Sequence, residues 1–199
     1  MIHIRTESRE SELDPGHFRN LGELLAAWQQ QQPERMVVRE LELDGQQYQA
    51  PDPALFDALS LSRSSEARIE AVSARSVALS SLESAAEYAP RVRDASLETA
   101  LRFRSGRPDL AAPLLAELMD ALIVLSSALA AAGAELGDAA AELVGLDSEL
   151  DGCLAGLVGA HQRRDWIDLA DGLEFELASL LDGWSERIQR VAPGTGAAA

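Results

Sequence analysis

Few residues in this 199-residue chain could carry chemistry, and one group of three is suggestive by its spacing. His161, Asp165 and Asp168 fall at i, i+4 and i+7, which would place them on one face of an unbroken helix. One imidazole and two carboxylates could hold a divalent metal ion. However, Asp165 is also suited to cap a new helix, which would break the common face. We therefore favour an ordinary helix end with solvated acids over a metal site.

A second candidate is Cys153, the single cysteine of the chain. A nucleophilic thiol needs a base within reach, but Cys153 lies on or beside an apolar helical stripe between Gly152 and Leu154. Nothing near it in the sequence would lower the pKa of the thiol, so we expect a buried and unreactive side chain. A lone cysteine also excludes an intramolecular disulfide and fits a reducing compartment.

The other ionisable side chains suggest no reaction either. Glu174 and Glu176 flank Phe175 on a predicted helix, but paired catalytic carboxylates need a cleft, and a helix flank is usually a solvated edge. His3 and His17 have no recognisable partners. Motifs such as Gly-x-Ser-x-Gly or Gly-x-x-x-x-Gly-Lys do not occur, and without lysine the chain cannot form a Schiff base. We accordingly predict a protein that is not an enzyme and has no cofactor.

Charge is distributed unevenly along the chain. The formal net charge is -16, and arginine carries all of the positive charge. Between Arg107 and Arg163 there are nine acids and no arginine or lysine. Such a distribution disfavours nucleic acid and anionic lipid as partners. It indicates either a solvated surface that keeps an Ala- and Leu-rich protein soluble or a docking face for a basic partner.

Residues 1–74 predict a small α+β domain with the order β-α-β-β-α-β. The clearest signal is Asp44-Gly45 between two extended runs, which favours a tight turn and hence a β-hairpin. Asn20 and Asp52 are suited to cap the two helices. The remaining predicted elements are an opening strand with Ile2 and Ile4, a loop at 7–18, hairpin strands at 36–43 and 46–49, and a last strand at 67–72.

A small sheet of this kind has an exposed edge that can accept a strand from another chain. About 70 residues is a marginal size for independent stability, so we expect this domain to pack on the rest of the chain or on a partner.

Residues 75–192 predict an antiparallel four-helix bundle. Its centre is the run 121–134, which is apolar on almost every side and should be surrounded by other helices. Asp120 and Glu135 enclose only fourteen uncharged residues, fewer than the roughly 20 that a membrane span needs, so we predict no membrane span. Pro90 either kinks or splits the first helix of the bundle.

The last helix carries the most regular apolar stripe, and two of its members are tryptophans. Trp166 and Trp184 are eighteen residues apart, a whole number of helical turns, so they point the same way. They are either core residues or anchors on a seam that faces a partner, because aromatic side chains dominate both settings.

The two chain ends carry little structural information. Residues 1–10 lack the apolar core of a secretory signal, so we expect residence in the cytoplasm. Residues 193–199 are rich in glycine and alanine and are predicted to be a disordered tail.

These patterns predict a non-enzymatic protein–protein interaction or adaptor protein whose bundle and small β domain dock a protein partner. A basic partner fits the charge, and we expect a homodimer or a heterocomplex, without nucleic acid or membrane. The residues predicted to bind the partner are Trp166, Trp184, Glu142 and Glu149. Two alternatives stay open. One is a chaperone-like binder of an exported or assembling subunit, since in composition the chain is similar to export chaperones of bacterial secretion systems. The other is a metal- or small-ligand-binding enzyme that uses the bundle core.

Overall fold

The structure is a computed structural model that describes residues 1–7, 9–49 and 52–192. Contacts between residues divide the chain into two units, Met1–Val77 and Ala78–Ala199. The fold is α+β, as the sequence predicted, with a mixed sheet in the first unit and a helical bundle in the second. The predicted disordered tail lies outside the described residues.

The first unit is built on a five-stranded sheet. Its strands are β1 (Ile2–Arg5), β2 (Glu10–Leu13), β3 (Met36–Leu43), β4 (Gln46–Gln49) and β5 (Ala67–Ser73). They lie in the order β2-β1-β5-β3-β4, and only the β1–β5 pair is parallel. The β3–β4 hairpin turns at Asp44 and Gly45, whose φ angles of 50° and 85° are the positive values that a tight hairpin turn requires.

One helix closes the core of this unit. Asn20 caps α1 (Leu21–Gln29) by accepting a hydrogen bond of 2.8 Å from the backbone N–H of Glu23. The buried side of α1, including Trp28, packs in one cluster with the inward residues of β1, β3 and β5. A second, short helix, α2 (Pro53–Phe56), is capped by Asp52, as predicted.

One strand was missed by the sequence prediction. The segment 7–18 is not a loop throughout, because it contains β2 and a 3-10 turn at Pro15–His17. β2 reads Glu-Ser-Glu-Leu, has no fully buried side chain and is fixed by its pairing with β1, so no apolar alternation marks it. With β2 included, the element order becomes β-β-α-β-β-α-β, and β1 and β2 form an antiparallel pair at the start of the sheet.

Four helical rods form the second unit, as predicted. The first two are α3 (Ala74–Arg104), which continues through Pro90 as one helix, and α4 (Pro108–Leu136). After a 3-10 segment (Gly137–Leu143) comes α5 (Leu146–Arg163). The last rod consists of α6 (Trp166–Asp171), a π-helical turn (Gly172–Leu177) and α7 (Ala178–Val191).

The bundle core follows a repeat of alternating steps of four and three residues. On α3 the buried stripe is Ala78, Leu82, Ala85, Ala89, Val92, Ser96, Thr99 and Phe103. On α4 it is Ala111, Leu118, Leu122, Leu125, Leu129, Ala132 and Leu136, with the partly buried Leu115 in its one gap. This spacing keeps one seam of each helix facing its neighbours, as in coiled coils. Several residues beside the stripes, such as Ala86, Met119 and Ala121, are partly buried against the same core.

The π-helical turn in the last rod is held from two sides. The hydroxyl of Ser96, buried on α3, donates a hydrogen bond of 2.8 Å to the carbonyl oxygen of Leu173. On the other side, Gly172 allows Leu157 of α5 to approach closely, because a Cβ at Gly172 would lie 2.7 Å from Leu157 Cδ2. These contacts connect α3 and α5 to the last rod.

Candidate partner-binding surface

The three residues that could have formed a metal site do not converge. Asp165 caps α6 by accepting a hydrogen bond of 3.1 Å from the backbone N–H of Asp168. The carboxylate of Asp168 accepts from the guanidinium of Arg163 at 2.7 Å. His161 instead lies edge-on to Trp166, with ring centroids 5.8 Å apart. Among the described residues, no group of three or more His, Cys, Asp or Glu side chains is placed to hold a metal ion.

Cys153 is buried in the bundle core, as its position in the sequence predicted. Burial, with a smaller contribution from the negative charge of Glu176, raises the pKa of the thiol. At neutral pH the side chain is therefore a protonated thiol, which is a poor nucleophile.

The two tryptophans occupy different environments. Trp184 is only 1% exposed, and its indole N–H has no acceptor among the described residues, so this side chain serves apolar packing. The bundle encloses this side chain, and its role in partner binding stays a prediction. Trp166 is half-buried and stacks on Phe103 with ring centroids 5.5 Å apart. Its role in partner binding stays a prediction.

The two predicted partner-binding acids are engaged within the chain. Glu149 of α5 accepts a hydrogen bond of 2.9 Å from Arg187, and Glu142 accepts one of 3.2 Å from Arg190. Both arginines belong to α7, so these ion pairs connect α7 to α5 and to the 3-10 segment. The charges of Glu142 and Glu149 are compensated before any partner arrives, which makes other acids better candidates.

The outward side of α4 is apolar. Ile123 and Val124 are 62% and 61% exposed, although they lie in the run that the sequence predicted to be surrounded. An 18-residue window of the helical segment Pro108–Leu143 has a mean hydropathy of 1.9, yet only 22% of it is buried. The buried stripe of α4 therefore accounts for only part of its apolar surface.

The same segment bears on the membrane question. By length and composition, Pro108–Leu143 could cross a membrane, so the length of the run 121–134 alone does not decide the question. A helix at the centre of a soluble assembly has the same composition. The predictions of cytoplasmic residence and of no membrane binding stay predictions.

Two grooves border the outward side of α4. The first, named here the α3-side groove, has a volume of about 420 Å³ and lies between α3 and α4. Its lining residues are Ser81, Ser84, Ala85, Glu87, Tyr88, Arg91, Val124, Leu125 and Ala128. Val124 thus projects on the side of α4 that faces α3.

The second groove, named the α5-side groove, has a volume of about 290 Å³ and lies between α4 and α5. It is lined by Ser126, Ser127, Ala130, Asp147, Leu150 and Asp151. Ile123 precedes Ser126 and Ser127 by three and four residues, so it lies one turn away on the same side of α4. The two exposed β-branched residues therefore border different grooves.

The two grooves differ in charge. The α3-side groove holds Glu87 and Arg91, and neither has an ion-pair partner among the described residues. The α5-side groove holds Asp147 and Asp151, which are also unpaired there, and no cation. A basic ligand is thus complementary to the α5-side groove only.

The first unit offers a polar surface instead. The face of the sheet opposite α1 forms an open cavity of about 530 Å³ with mostly charged and amide side chains around it. Within the described chain, the sheet edges are β2 and β4, with four residues each. Strand addition at either edge stays a prediction, and such short edges offer few backbone hydrogen bonds.

Comparisons with known proteins locate the helical unit within a family. No curated protein and no solved structure matches the chain. The family described as a domain of unknown function (DUF8042) matches residues 80–187, which span the bundle from α3 into α7 and make up just over half of the chain. The protein therefore belongs to the DUF8042 family.

Proposed function

We propose that this chain is a non-enzymatic protein-interaction module whose bundle binds a basic amphipathic helix of another protein in the α5-side groove. The observation that carries the proposal is the coincidence of exposed apolar surface at Ile123 with a stretch free of arginine and lysine between Arg107 and Arg163. An apolar stripe of the partner would cover Ile123 and Ala130, and flanking cations would meet Asp147 and Asp151.

This mode of binding uses apolar contact for affinity and charge for selection. A helix that lies in a groove contacts it through residues at i, i+3, i+4 and i+7, which suits a groove between two adjacent helices. Unpaired carboxylates add long-range attraction, which speeds association with cations and rejects acidic helices. Because these carboxylates are at the surface, salt screens the attraction.

A designed peptide tests this proposal directly. The probe is a helix of about 18 residues, or five turns, with leucine and alanine on one face and lysine on both flanks. We expect it to bind the full chain in a fluorescence anisotropy titration, with an affinity that falls as salt is added. A matched peptide with glutamate in place of lysine should not bind. Equal binding of the two peptides would contradict the proposal.

The site is tested with two neighbouring substitutions. Ile123→Asn removes the exposed apolar side chain beside the α5-side groove, and we expect about tenfold weaker binding of the lysine peptide. Val124→Asn is the matched control, since Val124 is equally exposed but borders the other groove. Isoleucine, valine and asparagine have similar helix propensities, so both variants should fold. Binding of the chain to anionic vesicles without peptide binding would instead indicate a membrane ligand.

A further inference from the structure

The α3-side groove points to a different occupant. We propose that it binds the same groove of a second copy of this chain, which gives a dimer with twofold symmetry. This interface is separate from the proposed peptide site, because it uses α3 and the Val124 side of α4 and not α5.

The α3-side groove is complementary to itself. In a twofold interface one patch meets itself, so it must contain both members of each attractive contact. The α3-side groove contains apolar surface at Val124 and Ala128, one cation, Arg91, and the carboxylate of Glu87. Glu117 lies two turns before Val124 on the same side of α4. Arg91 and Glu117 have no ion-pair partner among the described residues, so Arg91 of each copy is available to the carboxylates of the other.

The face formed by α3 and α4 is the size of one side of a protein interface. α4 has 29 residues and is therefore about 43 Å long, and the part of α3 in the second unit is nearly as long. Two packed helices whose axes are about 8–10 Å apart present a face of roughly 40 by 20 Å, or about 800 Å². That is about the area which each partner contributes to a standard protein interface. The groove with its two walls is thus large enough for a stable dimer.

Other occupants fit this groove less well. A basic helix would bring its cations against Arg91, and a bilayer would have to desolvate Arg91 and Glu87 in the groove. A second copy also fits this groove better than the α5-side groove, where Asp147 and Asp151 of two copies would repel each other. Arg91 lines the α3-side groove and, among the described residues, no cation lines the α5-side groove, so the first groove is better suited to a second copy and the second to a basic helix.

Sedimentation equilibrium of the full chain tests the dimer. We expect a mass that rises with concentration from 21.3 kDa toward twice that value. Val124→Asn should raise the dissociation constant roughly 30-fold or more, because each dimer loses two buried valines. Ile123→Asn, one residue away and equally exposed, should leave the dissociation constant unchanged. Circular dichroism of both variants confirms that they are folded.

Charge reversal gives an independent test of the same contact. Arg91→Glu places another negative charge in the groove and removes its cation, so we expect roughly tenfold weaker association. Arg164→Glu changes the net charge by the same amount at the exposed α5–α6 turn, where Arg164 has no ion-pair partner among the described residues. It should leave association unchanged, so an equal effect of the two reversals would indicate general charge repulsion and overturn the assignment of the groove.

The two proposals can fail separately. A chain that stays at 21.3 kDa at all concentrations contradicts the dimer, whether or not it binds the lysine peptide. A dimer that Ile123→Asn weakens as strongly as Val124→Asn also contradicts it, because the interface would then not be the α3-side groove. The peptide titration on the Val124→Asn variant reports the α5-side groove alone.

Discussion

Ile123 and Val124 are neighbours in the sequence and equally exposed, yet they border two surfaces of different character. Successive residues of an α-helix are turned by about 100°, so one points toward the α5-side groove and the other toward the α3-side groove. The first groove has acids and no cation, whereas the second has Arg91 beside Glu87. In a chain with a net charge of -16, the position of a single arginine therefore distinguishes the proposed site for a basic helix from the proposed site for a second copy.

The largest expected effect is a loss of stability when a buried residue of α4 is shortened, in contrast to an exposed residue beside it. Leu125 is 1% exposed and follows directly after Val124. Leu125→Ala should lower the free energy of unfolding by about 2–5 kcal/mol, because it leaves a cavity in the core. Val124→Ala removes an exposed side chain and should change the stability of the monomer by no more than about 0.5 kcal/mol. Urea unfolding at low protein concentration measures both, and similar losses would show that Val124 is packed within the chain.

The next effect concerns the dimer groove alone. If two copies associate through folded bundles, dimer formation stabilises the folded bundle, and dilution removes this stabilisation. The melting temperature should therefore rise with protein concentration, by a few degrees over the accessible range. Val124→Asn should remove this dependence, while Ile123→Asn should keep it. Differential scanning fluorimetry over a dilution series measures this dependence. A melting temperature of the wild-type chain that does not change with protein concentration would count against self-association.

A smaller effect concerns the groove that lacks a cation. Asp147→Asn with Asp151→Asn removes two negative charges that line the α5-side groove. We expect a three- to tenfold weaker affinity for the lysine peptide at low salt, with little change at high salt, where the attraction is already screened. Glu87→Gln is the matched neutralisation on the α3 side and should leave peptide binding unchanged. If neutralisation of either groove weakened binding equally, the peptide would be responding only to the net charge of the chain.

The smallest effects are expected for the acids first chosen from the sequence. Glu142 and Glu149 form exposed ion pairs with Arg190 and Arg187. Exposed pairs contribute about 0–1 kcal/mol, so Glu142→Gln and Glu149→Gln should each destabilise the bundle by less than about 1 kcal/mol. Neither should alter peptide binding or the mass of the chain. Loss of peptide binding in either variant would return these residues to the binding site.

Burial of Cys153 gives a pH dependence that is independent of both grooves. Because burial raises the pKa of the thiol in the folded chain, the unfolded chain ionises first as the pH rises. The stabilisation of the folded chain by the buried, protonated thiol is complete below the pKa of the thiol in the unfolded chain. It is lost as the pH rises through the pKa of the thiol in the folded chain. We expect slow reaction with a thiol reagent at neutral pH in the folded chain, and fast reaction after unfolding in urea. Rapid labelling of the folded chain would place Cys153 at the surface.

Local signals predicted much of the fold. Asp44-Gly45 marked a hairpin, Asn20 and Asp52 marked helix starts, and the apolar stripes marked the rods of the bundle. β2 could not be predicted in the same way, because its four residues owe their conformation to pairing with β1 and carry no apolar pattern.

The candidate surface was harder to predict, for a physical reason. A helix with one apolar side reveals its outward face, but the run 121–134 of α4 is apolar on almost every side, so composition suggested that every side was enclosed. The steps of four and three that select Leu118, Leu122 and Leu125 leave Ile123 and Val124 outside the seam, and this signal was present in the sequence. The proximity of Arg91 to Val124 depends on how α3 packs beside α4, which no local pattern encodes.

Under both proposals together, the two outward sides of α4 bind different chains. Sedimentation velocity with a fluorescent lysine peptide tests it in one experiment on the wild-type chain and on Ile123→Asn and Val124→Asn. We predict a Val124→Asn monomer that still carries the peptide and an Ile123→Asn dimer that does not. If both substitutions affect peptide binding and association alike, α4 has a single binding face and the claim is contradicted.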